Sequence, residues 1–193
     1  MKYCSECGEK VAISIPEGDN RPRHVCSHCR FVHYQNPKMV VGCVVEHDNK
    51  VLLCKRAIEP RYGLWTLPAG FMENDETTMQ AAARETIEEA GADVEITQLF
   101  SMFSLPHIDQ VYMLYRARFK EVAFSAGTES LEVGLFSEAE IPWDEMAFPV
   151  ITESLKRFFA DKKTGQFKIH NGAMYKQLEG EKISFNVAVL DEC

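Results

Sequence analysis

Short runs of apolar residues dominate the chain from residue 37 onward and predict a domain rich in β-strands. Two of these runs, Lys38–His47 and Val51–Lys55, flank a polar turn at residues 48–50 and predict a β-hairpin. Residues 111–115 are almost all apolar, which is typical of a strand that is buried on both faces. The other predicted strands are Leu64–Pro68, Val94–Leu105, Asp109–Phe119 and Leu131–Phe136.

Two longer stretches repeat apolar residues at the period of an amphipathic helix. The first follows Gly70, with Asn74 or Asp75 as its expected N-cap and Gly91 just past its end. The second is Val150–Lys162. The side chains of the first helix that we expect to pack on the core are Met79, Ala83, Thr86, Ile87 and Ala90.

The order of these elements predicts the fold class. A further short helix is expected over Ser137–Ile141, before the second long helix. The helix–sheet–helix order predicts an α/β fold, an α/β/α sandwich around a mixed sheet. Two extended pieces follow, Phe167–His170 and Ile183–Leu190, and they leave open whether the C-terminal segment covers a sheet edge or forms a dimer contact.

The first long helix carries an acidic stripe. Glu85, Glu88 and Glu89 are spaced three and four residues apart and share one face. Such clusters are most often solvated surfaces, but like charges at this spacing destabilise a helix, and Arg84 is the only base between residues 71 and 100. Carboxylates that converge with so little counter-charge suit a hard divalent cation, so we predict a metal site.

A metal at this stripe indicates a class of reaction. Mg²⁺ keeps coordination positions open for substrate oxygens, so its sites often take phosphate groups. Such ions neutralise a pyrophosphate, lower the pKa of a bound water and stabilise the leaving phosphate. Hydrolysis of a phosphoanhydride is the reaction that this chemistry favours.

The same residues resemble a family motif, the Nudix box. Gaps of five, seven, two and one residues separate its members, and the members are Gly70, Glu76, Arg84-Glu85, Glu88-Glu89 and Gly91. The resemblance implies a Nudix fold and hydrolysis of a nucleoside diphosphate linked to another moiety. It also implies that Mg²⁺ or Mn²⁺ is bound by Glu85, Glu88 and Glu89, with a backbone carbonyl near Gly70 as a further ligand. Arg84 would orient the glutamates and Glu76 would brace Arg84.

The general base and the phosphate-binding residues are less constrained, because Nudix enzymes draw their base from different places. Glu129 and Glu132 lie in the region where relatives often add an acidic ligand or base, and ordinary surface carboxylates are the alternative. Arg56 and Arg61 precede the predicted metal strand and could form bidentate contacts with substrate phosphates. Ordinary exposed arginines are the alternative for these two.

Residues 1–36 predict a separate small unit, a zinc ribbon. Two Cys-x2-Cys pairs 18 residues apart have the spacing of a structural site with four thiolate ligands, namely Cys4, Cys7, Cys26 and Cys29. The sequence MKYCSECGEK lacks the apolar stretch of a secretory signal, so zinc is favoured over disulfides. Three histidines could compete as ligands, but four thiolates already complete the shell. These are His24, His28 and His33.

Composition limits the remaining possibilities. With 46% hydrophobic residues, 193 residues can bury one sizeable core plus an appendage, so we expect units at 1–36, 37–165 (Nudix domain) and 166–193 (extension). No apolar run is long enough to cross a bilayer, which favours a cytoplasmic protein without a membrane partner. The net charge of −8 disfavours a nucleic-acid partner. A homodimer is implied only by the resemblance.

The identity of the substrate must be inferred from residues outside the Nudix box, because the box binds only the pyrophosphate. Residues 34–42, 52–56, 63–70 and 129–132 carry a second resemblance. Through them the whole chain resembles the Nudix group that hydrolyses FAD, to AMP and FMN, and ADP-ribose. NADH pyrophosphatases carry a Ser-Gln-Pro-Trp-Pro-Phe-Pro run after the box, and residues 101–107 depart from it. The alternatives are an NADH or altered-nucleotide hydrolase and, in another class, a non-catalytic module that binds ADP-ribose or nucleic acid. Base-stacking aromatics stay open among Tyr62, Trp65, Phe103 and Tyr112.

Overall fold

The computed structural model describes residues 1–179 and 182–192 and divides into two compact units, Met1–Pro37 and Lys38–Cys193. The predicted C-terminal extension therefore includes Gly180, Glu181 and Cys193, which lie outside the described residues. None of the described helices is long and apolar enough to span a membrane.

The first unit is a small antiparallel sheet of three strands, in the order β1-β2-β3. The strands are β1 (Val11–Ser14), β2 (Arg23–Cys26) and β3 (Val32–His33). β1 and β2 form a hairpin, and Val11 lies opposite Cys26 in its register. Strand β2 therefore ends at a cysteine of the second pair.

The second unit is built on a mixed sheet of nine described strands. Their order is β10-β5-β4-β9-β8-β11-β12, while β6 pairs with β5 and β7 pairs with β4. The pairs β4–β9 and β8–β11 are parallel and the other pairs are antiparallel. The strands are β4 (Lys38–His47), β5 (Lys50–Arg56), β6 (Trp65–Thr66), β7 (Ala69–Phe71), β8 (Val94–Leu105), β9 (Gln110–Phe119), β10 (Ser130–Phe136), β11 (His170–Glu179) and β12 (Lys182–Glu192).

Helices α1 (Thr78–Ala90) and α2 (Pro149–Thr164) cover opposite faces of this sheet. Side chains alternate along a strand, so Val40 and Val44 of β4 join the core beneath α2. Val41 and Val45 join the second core beneath α1. The predicted α/β/α sandwich around a mixed sheet is confirmed.

The start of α1 differs from the prediction. Thr77 is the N-cap, and its hydroxyl accepts from the Gln80 backbone N–H while the Gln80 side chain accepts from the Thr77 N–H. Asp75 has a left-handed φ of 65°, whereas an N-cap needs extended backbone. The prediction of Asn74 or Asp75 was therefore wrong, and the predicted stop at Gly91 is confirmed.

The buried face of α1 differs in part from the expected one, since Thr86 and Ala90 are buried and Ala83 is partly buried as expected. Met79 and Ile87 are 48% and 50% exposed. The side chains that pack inward are mostly small, and they are Ala81, Ala82, Thr86, Glu89 and Ala90. Small side chains let α1 lie close to β4, where the Cys43 thiol contacts the Ala82 carbonyl at 3.4 Å. The pattern misled because alanine carries a weak hydrophobic signal, which let Met79 and Ile87 set the predicted face.

The short helix predicted over Ser137–Ile141 is absent. Its residues form a turn in which the Ser137 hydroxyl and backbone N–H both donate to the Glu140 carboxylate. Pro142 disfavours helical backbone at the residue before it, which explains the failure. A single 3₁₀ turn lies further on, at Trp143–Glu145, before α2 begins at Pro149; Gly165 caps the C-terminal end of α2.

The C-terminal segment extends the sheet as the hairpin β11–β12. Strand β11 pairs in parallel with β8, and His170 lies opposite Ser101 in that register. The edge of β8 is therefore covered by the chain itself, which was one of the two roles left open by the sequence.

Candidate active site and metal centre

Strand β7 brings the backbone of Gly70 against α1. Gly70 lies opposite Val41 in the pairing of β7 with β4, and the carboxylate of Glu85 lies directly over its Cα. A Cβ at this position would collide with all three carboxylate atoms of Glu85. Glycine is needed here because the glutamate approaches the strand so closely.

Arg84 is the centre of a hydrogen-bond network between α1 and the preceding loop. Its guanidinium donates in bidentate fashion to Glu76, with Nε–Oε2 and Nη2–Oε1 distances of 3.0 and 2.7 Å. Nη1 donates to Glu85 at 2.8 Å and to Glu88 at 3.1 Å, while Nη2 also donates to the Phe71 carbonyl at 3.2 Å. Arg84 thus contacts Glu76, Glu85 and Glu88, and its role in orienting the glutamates stays a prediction.

The environment of Glu76 favours its charged form. The Arg84 guanidinium and the Glu73 backbone N–H, which donates at 2.7 Å, lower the pKa of Glu76 to about 2. A carboxylate that stays ionised throughout the physiological range holds Arg84 in one orientation. Arg84 is thereby available to Glu85 and Glu88 in a fixed geometry.

Glu89 occupies a different environment from the other two glutamates. It is 5% exposed, and its Oε2 accepts from the Ala69 backbone N–H at 2.8 Å. Burial raises the pKa of Glu89 to about 7, against the opposing effects of the Ala69 N–H and the charge of Arg56. The side chains expected to pack on the core did not include Glu89, and that expectation was wrong because the helix is rotated toward its small residues.

The three glutamates fit a divalent cation through their donor chemistry. Glu85 is half-buried, and burial raises its pKa despite the adjacent Arg84. Among the residues that the structure describes, no lysine or arginine forms an ion pair with Glu89. A buried carboxylate without a cationic partner is costly, and a hard cation with oxygen ligands would compensate it. The ligand role of the three glutamates stays a prediction.

The structure separates the two predicted phosphate-binding arginines. Arg56, at the end of β5, is 8% exposed, and its Nε donates to the Pro60 carbonyl at 2.9 Å. Its guanidinium lies 5.3 Å from the Phe148 ring centroid, and its charge lowers the pKa of Glu89. Arg61 is exposed in the following loop, with a left-handed φ of 71°. Only Arg56 is brought to the glutamates.

The two candidates for the general base also differ in their position relative to the glutamates of α1. Glu129 is exposed, and its charge raises the pKa values of both Glu85 and Glu89. Its backbone carbonyl accepts from the Ala57 N–H at 2.7 Å, which places it beside the end of β5. Glu132 lies on β10 opposite Lys55 and is also exposed. Of the two candidates, Glu129 is the one whose charge acts on the glutamates of α1.

The four aromatic residues that were candidates for stacking on a base differ in burial. Burial places three of them in the hydrophobic core, namely Trp65, Phe103 and Tyr112. Tyr62 is 56% exposed in the loop after β5. The contacts of Ala69 and Phe71 were missed by the sequence analysis, since backbone groups carry no sequence signal beyond their position next to Gly70.

The sulfur atoms of the four ribbon cysteines lie close together. Their Sγ atoms all lie within 4.8 Å of one another, and three of the pairs are separated by 3.5 to 3.7 Å. Zinc–sulfur bonds of about 2.3 Å give tetrahedral edges of about 3.8 Å, so the cluster fits this ion. All four thiols are free, and their separations are far longer than a disulfide bond.

Two family descriptions match the chain. "Nudix N-terminal", a zinc-ribbon model, matches residues 2–35, and "NUDIX domain" matches residues 36–161. The crystal structure of a NUDIX hydrolase from Nitrosomonas europaea is similar with a TM-score of 0.88 and 58% identity, over 91% of this chain and 100% of that one.

Curated relatives match over shorter lengths. The NAD-capped RNA hydrolase NudC of Vibrio atlanticus is 35% identical over 102 residues, which are 52% of this chain and 35% of that protein. The ADP-ribose pyrophosphatase of Methanocaldococcus jannaschii is 40% identical over 76 residues, which are 39% of this chain and 45% of that protein. The matches thus span between about a third and a half of these relatives.

Proposed function

Because the chain belongs to the Nudix hydrolase family, we propose that it hydrolyses the pyrophosphate bond of a nucleoside diphosphate derivative. We propose FAD, cleaved to AMP and FMN, and ADP-ribose as its substrates. The observation that carries this proposal is the Arg84 network, which holds Glu85 and Glu88 beside the loop that binds the buried Glu89.

In this proposal Glu85, Glu88 and Glu89 hold Mg²⁺ or Mn²⁺, together with the Gly70 carbonyl. The bound cation neutralises the pyrophosphate and lowers the pKa of a coordinated water. Arg84 and its bidentate partner Glu76 keep the ligand side chains oriented before substrate arrives.

Other residues of the chain act on the substrate itself. The Arg56 guanidinium, held by the Pro60 carbonyl beside Glu89, binds the non-bridging phosphate oxygens. Glu129 accepts a proton from the attacking water, because it is the exposed carboxylate whose charge acts on Glu85 and Glu89. Attack on one phosphorus breaks its bond to the bridging oxygen and releases two monophosphates.

The choice of substrate rests on two kinds of support. The match to a protein named ADP-ribose pyrophosphatase, at 40% identity, favours ADP-ribose. The resemblance of the whole chain to the FAD-hydrolysing Nudix group favours FAD. The intact box speaks against a non-catalytic binding module, which would have lost residues of the motif.

A dinucleotide of the NAD type is the second candidate. The relative named NAD-capped RNA hydrolase matches over 102 residues, which is a specific observation in its favour. Against it, residues 101–107 read SMFSLPH and depart from the run typical of NADH pyrophosphatases.

A substrate panel separates these candidates. Purified protein with Mg²⁺ is incubated with FAD, ADP-ribose, NADH and nucleoside triphosphates, and the products are identified by chromatography. We expect AMP from FAD and ADP-ribose, at a higher kcat/KM than from NADH. Turnover of neither FAD nor ADP-ribose would refute the proposed substrates, and faster pyrophosphate release from a triphosphate would favour a nucleotide-cleansing enzyme.

A further inference from the structure

A buried histidine lies beside the cysteine cluster of the first unit. His33, the last residue of β3, is 6% exposed, and its Nε2 lies 3.3 Å from the Sγ of Cys4. Strand β3 pairs His33 with His24 of β2, and the Phe31 and His33 rings pack in a T-shaped arrangement with centroids 4.8 Å apart, which holds the imidazole in place. We propose that His33 donates an N–H···S hydrogen bond to the Cys4 thiolate and thereby slows the loss of zinc.

The need for such a donor follows from the charge of the site. Four thiolates around one Zn²⁺ carry a net charge of −2, and each sulfur must be solvated by water or by donors. Cys7 and Cys29 are exposed to water, whereas Cys4 and Cys26 are 4% and 0% exposed. The buried sulfurs therefore depend on donors from the chain.

Backbone donors supply part of this need. The Glu6 N–H donates to the Cys4 sulfur at 3.4 Å, and the Cys29 N–H donates to the Cys26 sulfur at 3.4 Å. His33 adds a side-chain donor at Cys4, where water has little access. Hydrogen bonds to a charged acceptor are stronger than those between neutral groups, so this contact stabilises the sulfur in its zinc-bound state.

His33 acts as a positioning residue and does not replace a sulfur ligand. The set of mutually close donor atoms among the described residues comprises the four sulfurs and not His33. Four sulfurs already complete the tetrahedral shell of zinc. The imidazole then carries its proton on Nε2, toward Cys4.

Zinc release from the full-length, zinc-loaded protein tests this proposal. Two variants, His33→Met and His33→Gln, have side chains of nearly equal length, but only glutamine carries an N–H donor. His28→Met is the matched control, because His28 is an exposed ribbon histidine. The release rate is followed by absorbance after mixing with excess chromogenic chelator.

The expected order of rates is specific to a hydrogen bond. His33→Met should release zinc about tenfold faster than the wild type, the lower end of the effect of losing an outer-shell partner. His33→Gln should recover most of the difference, and His28→Met should match the wild type. Equal rates in His33→Met and the wild type, or in His33→Met and His33→Gln, would overturn the proposal.

Two further measurements separate the ways in which this could fail. If His33→Met does not fold with zinc, His33→Phe takes its place in the comparison. It keeps a ring at this position without the donor, so it should release zinc about tenfold faster than the wild type. The absorption bands of the Co²⁺-substituted protein should be unchanged in the variants, and a shift would instead make His33 a ligand. If the purified wild-type protein contained no zinc, the metal site itself would be refuted. The zinc content and the cobalt spectrum do not bear on the proposed hydrolysis.

Discussion

At the scale of single residues, the spacing of three glutamates identified a candidate site but not its geometry. Glu85, Glu88 and Glu89 share a helical stripe, yet Glu89 is 5% exposed and Glu88 has a side chain that is 57% exposed. Periodicity relates residues to one another and leaves the rotation of the helix on the sheet undetermined. The small side chains of α1 determine that rotation, and only tertiary packing reveals it.

The charge of Glu89 can be removed with little change of shape. Glu89→Gln keeps an oxygen that accepts from the Ala69 N–H, so the loop before Gly70 should stay in place. Loss of a ligand charge worth several kcal/mol predicts a fall in kcat of at least about 100-fold in a steady-state assay. Because burial raises the pKa of Glu89 to about 7, the metal-free variant should be at least as stable as the wild type above that pH.

The control for this substitution is Glu95→Gln, which neutralises an exposed carboxylate on β8. It should retain the wild-type rate. A wild-type rate in Glu89→Gln would contradict the assignment of this residue, and unfolding of the variant would contradict the argument from shape.

The close approach of Glu85 to Gly70 gives a second residue-scale prediction. In Gly70→Ala the new methyl group would displace the Glu85 carboxylate, while the backbone of Gly70 has no left-handed φ that alanine would resist. A shift of a reacting or ligand group by about 1 Å can reduce a rate about 100-fold. We therefore expect kcat to fall by about that factor. The thermal midpoint should change little, because the backbone at this position accepts alanine.

Gly134→Ala is the matched control, because a Cβ there would meet the flexible Phe136 side chain at 3.1 Å. It should leave kcat unchanged. Equal activity of Gly70→Ala and Gly134→Ala would show that the position of Glu85 does not matter for turnover.

At the scale of elements, strands were predicted more accurately than helix ends. The structure has strands at Lys38–His47 and Val94–Leu105, with the predicted bounds, because stretches rich in apolar residues and bounded by polar turns define them directly. The start of α1 is set by the polar cap at Thr77, and a polar contact from Ser137 to Glu140 forms a turn where a helix was predicted. The sequence offers several neighbouring residues for such contacts and does not say which one makes them. Backbone conformation at Asp75 and Pro142 decided both cases.

The loop before α1 is tied to the helix by the pair Glu76–Arg84, and this pair should make stability depend on pH. Arg84 lowers the pKa of Glu76 from its ordinary 4.5 to about 2, so the folded state favours the carboxylate. The stabilisation is then fully present above pH 4.5 and is lost as the pH falls toward 2. Glu76→Gln should be destabilised relative to the wild type at pH 6, and the difference should shrink progressively below pH 4.5.

Urea unfolding of both proteins between pH 6 and pH 2.5 measures this difference. Glu121→Gln, which neutralises an exposed carboxylate, serves as the control and should show no such convergence. A stability difference between Glu76→Gln and the wild type that stays constant with pH would show that the ion pair is not its source.

At the scale of the whole molecule, the two units achieve stability by different means. The second unit has two hydrophobic cores, one beneath each helix. The first unit has a sheet of short strands, and large apolar side chains of the unit are exposed, including Ile13 and Tyr34 at 70% and 64%. A unit of this size without a core needs a metal or another cross-link, which is why the cysteine spacing predicted the ribbon better than hydrophobicity could.

The consequence is that removing one thiolate should affect the two units differently. Cys4→Ser removes a buried ligand, so the zinc content should fall well below one ion per chain and the first unit should lose stability. The second unit keeps both cores, so the rate of hydrolysis should decline only as far as folded protein is lost.

Cys43→Ser is the matched control, since Cys43 packs beneath α1 and its replacement should leave the zinc content unchanged. Zinc-free wild-type protein with an intact first unit would contradict the argument, because that unit would then be stable without its metal.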